Sequence, residues 1–211
     1  MLSFLTENYS MILAKCAEHL MISLLSLGMG ILVAVPLGIA ITKNKNVAAL
    51  IIGVASVFQT IPTFALLSLM TIIGVGKVPA ILALFIYSLL PILRNTCLGI
   101  EAVSSDYLDA AKGMGMTPQQ ILYKVKIPMA MSVIMAGIRL SAVYVLAWAT
   151  LASYIGAGGL GDLIFNGLQN YLPPMIIWGT IPVSIMAIFT DYFLGKLEKN
   201  LTPFRKEGGR R

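Results

Sequence analysis

The chain has 211 residues, of which 58% are hydrophobic and only 11% charged, and its formal net charge is +6. A mean hydropathy of +0.87 excludes an ordinary soluble domain, which covers its surface with charge, and the length leaves no room for a soluble catalytic domain beside several membrane spans. The positive charge does not mark a nucleic-acid surface, because it collects at the ends of apolar blocks with no basic stripe interleaved with aromatics.

Residues 1–19 carry Glu7, Lys15 and Glu18. They lack the basic start and apolar centre of a cleavable signal peptide and read as an external or interfacial segment. A helix crossing a bilayer core takes about 20 apolar residues. Apolar blocks run over about 20–42, 47–73, 78–93, 129–152 and 175–194, defining a membrane domain over 20–195 and a basic tail over 196–211. The fold class is therefore an all-α membrane protein with five transmembrane helices, six being the alternative. That alternative arises in the second block, which Gln59, Thr60 and Pro62 interrupt. Proline removes a backbone donor and kinks a helix. One kinked, tilted helix is expected, because each half alone is too short to span.

Lysine and arginine placement orients the spans. Lys43, Lys45, Arg94, Lys112, Lys124, Lys126, Lys196, Lys199, Arg205, Lys206, Arg210 and Arg211 fall on one side, and only Lys15 and Lys77 on the other. The N-terminus is thus expected outside and the C-terminus inside. Arg139 falls within the fourth block and Asp191 near the inner end of the fifth. Intramembrane charges are costly, and these two are expected to pair or to hold helices in register. Cys16 and Cys97 have no metal-type spacing and read as small apolar residues. His19 has no second ligand nearby and is placed at an interface.

The long cytoplasmic segment, 104–128, reads as two short helices joined at glycines. Asp106 is the expected cap of the first, with Asp109 three residues on. Leu108 and Ala111 share a face, with Ala110 beside them, and small residues there admit close approach by another protein. Gly113 and Gly115 suit a left-handed turn. Thr117, Pro118 and Gln120 form a second start of the capping-box kind, and Pro128 marks the beginning of the fourth span.

The order Asp109-Ala110-Ala111, then Gly115, then Val125, Ile127 and Pro128 resembles the EAA motif of binding-protein-dependent ABC importer permeases of the type I fold. Asp109 stands for the usual Glu, Val125 for Ile and Ile127 for Leu, with the spacing intact. The resemblance implies that this loop is a coupling helix seated on an ATPase subunit, through Leu108, Asp109, Ala110, Ala111, Gly115 and Pro128. Further segments, Gln59-Thr60-Ile61-Pro62, Gly74 to Ala80, Leu90 to Thr96 and Trp148 to Gly161, are similar to permeases of osmoprotectant uptake, which carry glycine betaine, carnitine and choline. Methionine-type permeases share the fold and parts of the pattern.

The resemblance implies a transport subunit of the bacterial cytoplasmic membrane and not an enzyme. Its expected partners are two ATPase subunits, a second permease (identical or paralogous), an extracytoplasmic substrate-binding protein and membrane lipid. No cofactor is expected on this chain, ATP and magnesium being used by the partner. A quaternary ammonium has no donor on nitrogen and is held by aromatic faces. Tyr87, Tyr144 and Trp148, with Gln59, are the candidates to line a path, ordinary packing being the other reading. Gly156, Gly158 and Gly161 spell GxGxxG, but the strand, following helix and later acid of a dinucleotide site are missing. A tight external loop is expected instead. A secondary transporter remains the other class, disfavoured by the scarcity of intramembrane acids.

Overall fold

The computed structural model describes residues 2–202, with side chains from residue 4 onward. Its helices are α1 (Leu2–Ile41), α2 (Lys45–Thr60), α3 (Thr63–Met70), α4 (Lys77–Glu101), α5 (Ser105–Gly113), α6 (Pro118–Ile121), α7 (Ile127–Ala152), α8 (Gly161–Gln169) and α9 (Pro173–Leu201). A π-helical turn, Leu122–Lys126, joins α6 to α7, and a 3₁₀ turn, Ser153–Ile155, follows α7. Among the described residues, four stretches are long and apolar enough to cross a membrane, and the bent pair α2 and α3 counts as a fifth where the two together form one span.

The centre is a trio of helices, α1, α4 and α7. Contacts between α1 and α4 pair Ser26 with Ile81, Gly30 with Ser88 and Gly38 with Thr96, so the two run parallel. Lipid tails supply no hydrophobic drive between helices, so association rests on close packing and hydrogen bonds. Small residues provide both here. A Cβ on Gly30 would fall on the Ser88 hydroxyl, and one on Gly137 would meet Asn95 and the Pro91 carbonyl of α4. Ser26 donates to the Ile81 carbonyl at 3.2 Å and Ser141 to the Ser88 carbonyl at 3.1 Å. Cys97 Sγ lies 3.3 Å from the Gly38 carbonyl, and both cysteines are free thiols. The pair α2 and α3 flanks this trio on one side, α8 and α9 on the other.

Four features depart from the sequence reading. First, α1 begins at Leu2 and runs unbroken into the first span. The segment before Leu20 is therefore helix, and its Ile12 packs with Leu160 and Leu163. Second, the second block is not one kinked helix: α2 and α3 meet at 92°. The residue before a proline is driven to extended backbone, and Ile61 sits at φ −68°, ψ 128°. Two helices cannot continue through that conformation. Third, α4 does not stop at Arg94 but continues to Glu101, which leaves Arg94 inside a helix. Fourth, His19 is enclosed by the chain itself. It is fully buried, and its Nε2 donates to the Leu146 carbonyl at 3.1 Å.

Candidate coupling loop and translocation cleft

The 104–128 loop is built from local hydrogen bonds. Ser104, not Asp106, caps α5: its hydroxyl accepts from the Asp106 amide at 3.3 Å. Asp106 then occupies the first turn, where a carboxylate suits the positive helix end. The end of α5 is a Schellman turn. Gly115 takes φ +75°, its amide donates to the Lys112 carbonyl at 2.9 Å, and the Met116 amide donates to the Ala111 carbonyl at 3.1 Å. A side chain at Gly115 would be strained in that left-handed conformation. Thr117 and Gln120 close a reciprocal capping box, with the Thr117 amide donating to Gln120 Oε1 at 2.8 Å and the Gln120 amide to Thr117 Oγ1 at 3.3 Å. Pro118 opens α6 and Pro128 lies in the first turn of α7.

The two faces of α5 differ. Ala111 is 1% exposed and Leu108 half-buried, both turned toward the chain's own body, while Asp109 and Ala110 point outward. The slim surface open to another protein is therefore at Ala110, not Ala111. Asp109 pairs with Lys112 at 2.9 Å, an exposed pair of small energetic weight. Tyr107, Met114 and Tyr123 are large, apolar and exposed around it. The sequence reading passed over all three. Their signal was an aromatic or methionine on the solvent side of a short, otherwise polar unit.

The second site lies at the α2–α3 corner. Pro91 has no amide hydrogen, so the Tyr87 carbonyl one turn earlier loses its helical partner. Gln59 Nε2 donates to that carbonyl at 3.4 Å. The Tyr87 hydroxyl donates in turn to the Ile61 carbonyl at the corner. Tyr87 is 2% exposed and backs Trp148, their ring centres 4.9 Å apart, and Trp148 touches Tyr144 at 5.1 Å. Gln59, Tyr144 and Trp148 share one open cleft of about 400 Å³ with Arg94, Asn95 and Leu140. Three of the four residues picked from sequence thus line it, and Tyr87 forms its wall from behind. Arg94 and Asn95 were missed as lining residues because a charge after an apolar run reads as the end of a span.

Two ionic groups brace the frame. Arg139 forks onto Asp191, with contacts of 2.9–3.0 Å, and reaches Glu198 at 2.8 Å. Asp191 and Glu198 are seven residues apart and so share one face of α9. The pairing of Arg139 with Asp191 was anticipated, and Glu198 was not. Beside the start of α4, Glu18 accepts from Lys15 at 3.2 Å, Lys77 at 2.9 Å and the Gly159 amide at 3.1 Å, and Lys15 also binds Asp162. One carboxylate thereby ties α1, the start of α4 and the glycine-rich loop. Gly158 and Gly159 take φ of +83° and +84°, and a Cβ on Gly158 would fall 2.6 Å from Glu18 Oε2. Of the GxGxxG glycines, Gly158 serves this docking, whereas Gly161 packs against the Thr150 carbonyl and Ser153.

A model of the family described as "binding-protein-dependent transport system inner membrane component" matches residues 26–203. The carnitine transport permease protein OpuCB of Listeria monocytogenes is 55% identical over 95% of this chain and 93% of its own length. The glycine betaine/carnitine/choline transport system permease protein OpuCB of Bacillus subtilis is 51% identical over 99% and 96%. The choline transport system permease protein OpuBB of Bacillus subtilis is 52% identical over 95% and 93%. Among solved structures, an inward-facing form of the MetNI methionine ABC transporter superposes with a TM-score of 0.80 at 19% identity, covering 90% of this chain and 96% of the other. The fold is that of a type I ABC importer transmembrane domain, and the chain belongs to the binding-protein-dependent transport system inner membrane component family.

Proposed function

We propose that this chain is the permease subunit of an ATP-driven importer for a small quaternary-ammonium osmoprotectant: glycine betaine, carnitine or choline. The observation that carries the reading is the identity of 51–55% to permeases named for these solutes, across nearly their whole length. The Tyr144–Trp148 pair lining an open cleft supports it, since aromatic faces attract a cation that offers no hydrogen-bond donor.

In this reading two permeases, identical or paralogous, enclose the path between them, and two ATPase subunits seat on α5 and its Gly115 turn. Closure of the ATPases over ATP and magnesium pushes the loop and switches the spans between inward- and outward-facing states. An extracytoplasmic binding protein delivers the solute to the outer side, where the N-terminus lies. Leu108 and Ala111 hold α5 to its own subunit, and Asp109 and Ala110 meet the ATPase. Gly115 and Pro128 fix the geometry of the loop.

The test is uptake into proteoliposomes holding the assembled transporter: this chain, its second permease, the ATPase and the binding protein. Labelled glycine betaine, carnitine, choline and methionine are offered. ATP-dependent accumulation of at least one quaternary ammonium is expected. Accumulation of methionine alone, or uptake that follows a gradient with the ATPase omitted, overturns the reading.

A further inference from the structure

Arg94 is the one cation among the described residues that line the cleft, and no carboxylate of the cleft answers it. It lies inside α4, seven residues before the inner end at Glu101, about 10 Å along the axis. An arginine within a span is costly and ordinarily faces a partner or a pathway. Arg139 shows the partnered case, with two carboxylates on its guanidinium. Arg94 has no carboxylate within 4 Å among the described residues. Its side-chain hydrogen bond is a long one, 3.4 Å to the Ser56 hydroxyl, and the residue is exposed. Glu101 and Lys45 line the adjoining groove without pairing with it.

The surroundings specify what would satisfy it. The cleft that Arg94 lines has the Tyr144 and Trp148 rings in its wall. Tyr87, which backs Trp148, is seven residues before Arg94 on the same helix, again about 10 Å along the axis. The cleft therefore has an aromatic end suited to a quaternary ammonium and a cationic end suited to an anion. Its volume of about 400 Å³ lies in the range of small-molecule sites. The reach of the arginine side chain and the length of a small zwitterion together close the gap between the two ends. A guanidinium forks onto a carboxylate with geometry that a lysine lacks.

We infer that Arg94 is the carboxylate-binding group of the translocation cleft and makes this subunit favour zwitterionic quaternary-ammonium solutes over purely cationic ones. Glycine betaine and carnitine engage both ends. Choline has no carboxylate, engages only the aromatic end and meets an unpaired positive charge. This inference rests on the proposed function and adds a specificity determinant to it.

The experiment measures ATP-dependent uptake of glycine betaine, carnitine and choline by the assembled transporter carrying wild-type chain, Arg94→Gln or Arg94→Lys, with the binding protein saturated by each solute. Arg94→Gln should lower uptake of the two zwitterions about 10-fold or more while choline uptake stays within about two-fold or rises. Arg94→Lys should recover part of the zwitterion uptake. Equal loss of all three solutes, or no change in any, overturns the assignment: the first marks a structural or lipid-contacting arginine, the second a residue outside the path. If the wild-type transporter moves none of the three under ATP, the proposed function itself fails and takes this inference with it.

Discussion

Gln59 donates to the Tyr87 carbonyl that Pro91 leaves without its helical partner. The bond joins α2 to α4 at the corner where the second span breaks, and it exists because a proline four residues later cannot donate. This relationship makes the aromatic wall of the cleft dependent on two residues far apart in sequence.

The dependence is testable by a double-mutant cycle. Gln59→Leu should destabilise the chain by about 1–3 kcal/mol, since it strands a carbonyl within the packed protein. In a Pro91→Ala background the new amide can donate to the Tyr87 carbonyl, and the same Gln59→Leu change should cost less than half as much. Thermal unfolding in detergent measures both. Equal costs in the two backgrounds would show that the bond carries no weight.

Under the proposed function, Ala110 and Ala111 of α5 should separate docking from folding. Ala110→Arg adds bulk and charge on the outer side of α5, so stability should stay within about 0.5 kcal/mol, while ATPase co-purification and uptake fall together. Ala111→Arg forces a charge into a site that is 1% exposed, and it should lower the unfolding temperature before any docking is tested. The reverse pattern would place Ala111 on the contact face.

The Arg139 triad should show redundancy. Asp191→Asn should cost less than about 1 kcal/mol, because Glu198 remains and the site is partly exposed. Asp191→Asn combined with Glu198→Gln leaves the guanidinium without a carboxylate there and should cost about 2–3 kcal/mol. Unfolding midpoints of the two singles and the double decide. A double variant no worse than the sum of the singles would mean that each carboxylate acts alone.

Trp148 should matter for every quaternary ammonium alike. Trp148→Leu keeps the apolar bulk and removes the ring, and uptake of glycine betaine, carnitine and choline should each fall about 5- to 30-fold, as expected for losing about 1–2 kcal/mol of cation–π attraction. Trp148→Phe should retain most of it. Loss of one solute alone would argue against a shared cation site.

The parts of the molecule that were readable from sequence are those made by neighbours in the chain. The capping box of Thr117 and Gln120 and the left-handed Gly115 follow from spacing alone, because the bonding partners lie within a few residues. The five apolar blocks are readable for the same reason, their lengths matching a bilayer. What failed depends on distant partners or on backbone alternatives with one pattern. Pro62 kinks a helix or ends it with the same residues around it, and here Ile61 takes the extended backbone that ends it, with its carbonyl accepting from the distant Tyr87 hydroxyl. Arg94 looks like a span terminus until the helix is seen to continue to Glu101. Asp106 and Ser104 are both good caps, and the φ of −56° and ψ of 141° at Ser104 select the serine.

The π-helical turn between α6 and α7 has a mechanical consequence. Helical structure is continuous over Pro118–Ile155, 38 residues, a rod of about 57 Å at 1.5 Å per residue. Its first residues are the second half of the 104–128 loop, and Tyr144 and Trp148 sit toward its other end. Under the proposed function, a displacement at the loop therefore reaches the aromatic wall along helix uninterrupted by a loop. The five residues at Leu122–Lys126, whose hydrogen bonds reach one residue further than those of an α-helix, are the irregular turn between those first residues and the aromatic wall.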